Sequence, residues 1–157
     1  FGDALEPAIV LSVVGEGIPM IYNGQEAGNT KRLEFFEKDE IVWREHPIGE
    51  LYARLFQLKK QTSALWNGEW GARMIHVPNS APNRVLSFVR QDGRSKVFAV
   101  LNLSPETQEF GLDVVHPLVV PRRRLANVVL AHERRVHQRK VWIAVSDRFC
   151  AKLNVEQ

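Results

Sequence analysis

The hydrophobic periodicity of this chain changes once, at Gly68, and that change limits the folds open to it. Before Gly68, apolar residues recur at helical spacing in residues 4–13 and 48–58, on either side of a short continuous apolar run. After Gly68 the period is that of strands. The strand candidates are residues 72–77, 84–90, 96–103 and 107–112. The predicted fold class is therefore α+β, with a helix–strand–helix segment before an antiparallel β-sheet domain.

Local signals place the elements of the first segment. Asp3 and Glu6 have the spacing of a capping box, which predicts the start of the first helix. Pro47 suits the first position of the second helix, and the spacing there puts Lys59 on the polar face. Residues 18–22, Ile-Pro-Met-Ile-Tyr, are apolar without alternation. Such a run is typical of a strand covered on both faces, as in a parallel sheet.

The last part of the chain differs in composition from the rest. All 10 glycines precede residue 112, and residues 114–157 carry 9 basic against 3 acidic side chains. We therefore divide the chain into residues 1–68, 69–113 and 114–157. Residues 140–146 are a last strand candidate. One interpretation of the basic tail is a coding sequence read in a shifted frame near residue 112.

Composition also excludes several classes of protein. No apolar run approaches the ~18 residues of a membrane span, so no membrane partner is predicted. The single cysteine, Cys150, excludes an internal disulfide framework and a cysteine zinc site. His46 and His76 have no partner at metal-ligand spacing, and neither a metal nor a cofactor is predicted. The basic tail suits phosphate contacts, but it has no interleaved aromatic residues, which disfavours nucleic acid. The localisation stays unknown.

One decapeptide carries a family resemblance. Residues 17–26, GIPMIYNGQE, follow the pattern G-x-P-x-x-Y-x-G-x-E and resemble the segment on the eighth barrel strand of the α-amylase family, glycoside hydrolase family 13. Further similar segments follow in the same order, at residues 32–43, 58–68, 88–90 and 97–104. The resemblance covers roughly residues 1–112. It implies that residues 1–68 are the end of a (β/α)8 barrel and that residues 69–113 belong to the β-sandwich domain after it.

The resemblance also implies an activity for the parent enzyme and predicts that this polypeptide by itself lacks it. The family cleaves or transfers α-glucosidic bonds by a retaining mechanism, which needs two carboxyl groups ~5–5.5 Å apart. In the family the catalytic carboxylates follow barrel strands four, five and seven, which precede the matching segment. No catalytic residue is therefore assigned here. The implied partner is an α-glucan or maltooligosaccharide bound by the parent enzyme.

Three residues at the end of the decapeptide are candidates for substrate binding: Tyr22, Gln25 and Glu26. Tyr22 could stack on a sugar ring or be a core aromatic. Gln25 could bind a sugar hydroxyl or brace the backbone. Glu26 could lie on the floor of a sugar-binding cleft or hold its own loop as a paired carboxylate.

Three functions stay open at this point. The first is the carboxyl-terminal fragment of an α-amylase-type hydrolase of α-1,4-glucosidic bonds, inactive by itself. The second is a non-catalytic β-sandwich module that binds α-glucan through Trp66 or Trp70. The third is a gene remnant that buries too little surface to fold. For Trp43, Trp66 and Trp70 we expect packing between barrel and sandwich rather than a sugar platform.

Overall fold

The computed structural model describes residues 2–112, 136–138 and 141–146. The helices are α1, Leu5–Val14, and α2, Pro47–Gln61. The strands are β1, Met74–His76; β2, Val85–Gln91; β3, Lys96–Asn102; β4, Gln108–Phe110; β5, Val136–Gln138; and β6, Val141–Ser146. Two helices followed by antiparallel sheet confirm the α+β class.

Four of the strands form one antiparallel sheet in the order β1-β2-β3-β6. Strands β2 and β3 form the centre, with Val89 opposite Phe98. The turn between them is held by Asp92, whose Oδ1 accepts from the backbone N–H groups of Arg94 at 2.7 Å and Ser95 at 2.6 Å. Strands β4 and β5 form a separate two-stranded antiparallel sheet. All four strand candidates before residue 113 are thus confirmed, with shorter bounds for the first and last.

The last strand candidate is confirmed as β6, which pairs with β3 and places Ile143 opposite Ala99. The other described residues of the tail form β5. The remaining residues of 114–157 lie outside the described ranges. The shifted frame and the three domain boundaries therefore stay predictions.

The two helices begin differently. Pro47 is the first residue of α2, as predicted, and the Nδ1 atom of His46 accepts from the backbone N–H of Ile48 at 3.2 Å. The predicted capping box of α1 is wrong, because the N-cap residue is Ala4 rather than Asp3. A short 3₁₀ turn, Gly2–Ala4, leads directly into α1. The backbone therefore leaves no extended position for a capping side chain at this start.

Apolar side chains form two cores on opposite faces of the main sheet. The first core packs both helices on the sheet. Its buried members are Ile9, Val10, Val13, Val14, Leu51, Tyr52, Leu55, Leu58, Leu65, Phe88, Val97, Ala99, Leu101 and Ile143. The second core contains Val77, Val85, Val89, Phe98, Val100 and Phe110. The first core crosses position 68, so the segments before and after Gly68 share one hydrophobic interior.

The predicted strand at residues 18–22 does not form. No described strand pairs with it, and Ile18, Met20 and Tyr22 are 84%, 78% and 59% exposed. Pro19 and Ile21 are half-buried, and Ile21 packs against the first core. A strand covered on both faces needs neighbouring strands to satisfy its backbone groups. Within the described ranges no such neighbours exist, so only one face of the segment is covered.

Neither described helix has the length and the apolar character that crossing a membrane would require.

Candidate functional site

The three predicted binding residues lie in one tight turn after residue 21. The backbone N–H of Tyr22 donates to Oε1 of Gln25 at 2.7 Å, and the N–H of Gln25 donates back to the Tyr22 carbonyl at 2.9 Å. The N–H of Gly24 donates to Oε2 of Glu26 at 3.1 Å. The turn continues into a short 3₁₀ helix, Gln25–Ala27. The three candidate residues therefore lie together in the structure, and their role in substrate binding stays a prediction.

The side chains of Gln25 and Glu26 brace this turn. Each accepts a backbone hydrogen bond from a residue two or three positions earlier. Gln25 is exposed and Glu26 is half-buried. Burial raises the pKa of the Tyr52 phenol on α2, and the charge of Glu26 adds to that rise. The bracing geometry favours the structural roles considered for Gln25 and Glu26, while sugar binding by either residue stays a prediction.

Tyr22 lies on the open side of the turn. Its side chain is 59% exposed, so it is not a core aromatic in this structure. An exposed aromatic ring beside polar groups has the chemistry for stacking on a pyranose face. The stacking role predicted for Tyr22 remains compatible with this position.

The turn is anchored to the start of α2 through Gly28. This residue has φ +68°, and the ring of His46 lies against its backbone, so that a Cβ there would come within 2.5 Å of the ring. Arg44 donates to the carbonyls of Ala27 at 3.1 Å and Gly28 at 3.3 Å. The candidate residues are therefore fixed to the second helix rather than carried by a free loop.

The acidic loop after the turn is organised around Asp39. Its carboxylate forms an ion pair with Lys31 and accepts from the backbone N–H groups of Glu34 at 3.0 Å and Glu40 at 2.8 Å. The hydrogen bond from Lys31 is the main cause that lowers the pKa of Asp39. Among the described residues, no three His, Cys, Asp or Glu side chains are grouped to hold a metal ion. Asp39 thus serves to hold the loop.

Seven large apolar side chains between residues 18 and 43 are exposed, and the sequence did not predict this. We call these side chains the open surface. It consists of Ile18, Met20, Tyr22, Phe35, Phe36, Val42 and Trp43, each more than half exposed. The rings of Phe35 and Phe36 contact each other edge to face at 4.7 Å between centroids. So many exposed large apolar groups within one stretch of chain are typical of a surface that another protein segment or a ligand covers.

The tryptophans do not pack as expected. Trp43, Trp66 and Trp70 are 59%, 39% and 72% exposed, so the expected packing between the two predicted domains is not observed. Trp66 Nε1 donates to the carbonyl of Lys60 at 3.4 Å, which fixes one end of its ring. Trp70 lies in a short 3₁₀ turn, Gly68–Trp70. Trp66 and Trp70 are thus exposed aromatic side chains close together in sequence, and aromatic rings of this kind can stack on a sugar.

Comparison with known proteins shows a structural relationship. No protein-family model matches this chain, and no curated protein matches it. Among solved structures it is similar to the noncanonic maltogenic α-amylase AmyB of Thermotoga neapolitana, with a TM-score of 0.62 and 26% sequence identity. The chain has an amylase-like fold. The match covers 71% of this chain but only 26% of the amylase, so this chain spans about a quarter of that enzyme's length.

This similarity supports a relationship to amylase-type glycoside hydrolases. It agrees with the resemblance noted from residues 17–26 of the sequence. The barrel segment, the sandwich assignment and the position of the chain within a longer enzyme are finer statements and are treated as proposals.

Proposed function

We propose that this chain is the carboxyl-terminal part of an amylase-type glycoside hydrolase acting on α-1,4-glucosidic bonds, and that the 157-residue polypeptide has no hydrolytic activity by itself. The observation that carries the proposal is the structural similarity to a maltogenic α-amylase over 71% of this chain and 26% of the enzyme. In this proposal residues 1–68 complete a catalytic barrel, residues 69–113 begin the β-sandwich, and α-glucan is the substrate of the whole enzyme.

The open surface supports the proposal. It lies on residues 18–43, the region that resembles the eighth barrel strand and the loop after it. Ile18 and Met20 are apolar on a face that nothing in the described structure covers. In a closed barrel, a strand of this kind is covered by neighbouring strands and inward side chains. The exposed face is therefore what a barrel strand without its neighbours would show.

The expected lack of activity has a chemical reason. A retaining glycosidase needs a nucleophilic carboxylate and a carboxylic acid on opposite sides of the scissile bond. The family resemblance assigns these groups to strands that precede the matching segment. Glu26 is the last residue of that segment, and its carboxylate is engaged by the N–H of Gly24. A complete barrel takes ~250 residues, which exceeds the 157 residues of this chain.

The test measures reducing sugar released from soluble starch by the purified polypeptide. We expect release at the level of the buffer blank, with a folded circular dichroism spectrum. A known α-amylase added to the same reaction controls for inhibitors. Starch cleavage that scales with the polypeptide and disappears in Glu26→Gln would contradict the proposal, because it would place a working catalytic carboxylate in this chain.

The exposed tryptophans favour a second candidate function, a non-catalytic α-glucan-binding module. Trp70 is 72% exposed and follows Trp66 closely in sequence. Affinity electrophoresis in a native gel containing starch tests this function: binding predicts retardation that Trp70→Ala abolishes. Leu103→Ala is the control, since this exposed apolar residue belongs neither to the tryptophan pair nor to the open surface. Migration unaffected by starch removes this candidate, and a polypeptide without a cooperative unfolding transition supports the gene remnant instead.

A further inference from the structure

A buried arginine connects the sheet to both helices. Arg90 on β2 is only 1% exposed, and its side chain points to the helical face of the sheet. Its guanidinium donates to five backbone carbonyls: Ala72 at 2.8 Å, Val14 at 3.1 Å, Gly15 at 2.7 Å, Leu65 at 3.4 Å and Trp66 at 2.8 Å. The acceptors belong to the end of α1 and to the segments that follow α2. One side chain thus joins three parts of the fold.

A second buried cation lies beside the first. Lys59 on α2 is 7% exposed, although its sequence position predicted the polar face. Its Nζ donates to the carbonyls of Leu65 at 2.7 Å, Val13 at 3.1 Å and Gly17 at 3.5 Å. Lys59 and Arg90 therefore share the Leu65 carbonyl as an acceptor. Both side chains are held by backbone oxygens, and neither has a carboxylate among its described hydrogen-bond partners.

The end of α1 explains why two cations gather there. The last carbonyls of a helix accept no hydrogen bond from within the helix, and they carry the negative end of its dipole. The last turn of α1 contains no basic residue of its own. Lys59 and Arg90 supply the missing positive charge from α2 and β2. Glu16, just after α1, is the acidic group whose charge acts on Arg90.

We propose that Lys59 and Arg90 form a two-cation clamp that fixes the end of α1 to α2 and to the sheet, and that the burial of Lys59 in this clamp makes the stability of the fold depend on pH. The clamp concerns the junction between helices and sheet. It does not depend on the proposed glucan chemistry.

The direction of the pH effect follows from the position of Lys59. Burial lowers its pKa to about 8, and the positive charge of Arg90 contributes to the same shift. The ordinary lysine pKa of 10.5 applies in the unfolded chain. Between these two values the unfolded chain binds more protons than the folded one, so the folded state gains stability as the pH rises. Below pH 8 Lys59 is charged in both states, so the cost of burying its charge, to which repulsion from Arg90 adds, opposes folding in full.

The experiment compares chemical unfolding of the full chain at pH 7.0 and pH 9.5. For each protein, the quantity compared is the ratio of its unfolding equilibrium constant at pH 7.0 to that at pH 9.5. We expect this ratio to be at least about tenfold larger for the unaltered protein than for Lys59→Met. Lys60→Met is the matched control, because Lys60 is the neighbouring lysine on α2 and is exposed. Burial also lowers the pKa of Lys96, but Lys96 is present in all three proteins and its effect cancels. An equal pH dependence in all three proteins would overturn the proposal.

A second measurement observes Lys59 directly. Lysine labelled with ¹³C at Cε reports each ammonium group by its chemical shift, and Lys59→Met assigns the signal. We expect a titration midpoint near 8 for Lys59 and a higher midpoint in Arg90→Gln, where the repelling charge is gone. A midpoint at the ordinary lysine value in the unaltered protein would overturn the proposal, even if Arg90→Gln did not fold.

Discussion

At the scale of single residues, Gly28 is a position where substitution is poorly tolerated. Its φ of +68° disfavours any residue with a Cβ, and a Cβ would meet the His46 ring at 2.5 Å. We expect Gly28→Ala to lower the free energy of unfolding by about 2 kcal/mol or more, because backbone strain of ~1–2 kcal/mol adds to the overlap. Urea denaturation measures the change.

The matched control at this scale is Gly93→Ala. Gly93 has no positive φ and no atom within 4 Å of a Cβ position. Its replacement should alter the free energy of unfolding by less than about 0.5 kcal/mol. Equal effects of the two substitutions would show that the turn of Gln25 and Glu26 is not anchored through Gly28.

At the scale of elements, the segment 18–22 has one covered face and one open face. Met20 is 78% exposed, whereas its neighbour Ile21 packs against the first core. We therefore expect Met20→Lys to leave the unfolding free energy within about 0.5 kcal/mol, and Ile21→Lys to lower it by about 1–3 kcal/mol because a charge replaces a packed apolar group. Thermal and urea unfolding of the two variants decide the point. Comparable destabilisation by both would mean that the segment is covered on both faces, as a strand in a sheet is.

At the scale of the whole molecule, helices and sheet share the first core, so they should unfold together. Leu55 on α2 is 1% exposed, and Phe88 on β2 is fully buried. Leu55→Ala should cost about 2–5 kcal/mol, and it should accelerate amide hydrogen exchange in β3 as much as Phe88→Ala does. Arg54→Ala, on the exposed side of α2, is the control. Fast exchange confined to α2 would show that the helices and the sheet are separate cooperative units.

The sequence predicted the elements whose signals are local. Pro47 and the apolar spacing after it predicted α2, and the strand period after Gly68 predicted β2 and β3. Such elements are predictable because their periodicity and turn residues act within a few positions along the chain.

The sequence by itself therefore determined the α+β class, the two helices, the positions of the strands along the chain and the amylase resemblance, because periodicity and motif depend only on residues close together in the chain. Tertiary structure alone decided that residues 18–22 are open on one face, since strand formation depends on neighbours distant in sequence. It also decided that Lys59 and Arg90 are buried together. Their acceptors are backbone carbonyls of α1 and of the segments after α2, and no pattern of side chains reveals where those carbonyls will meet.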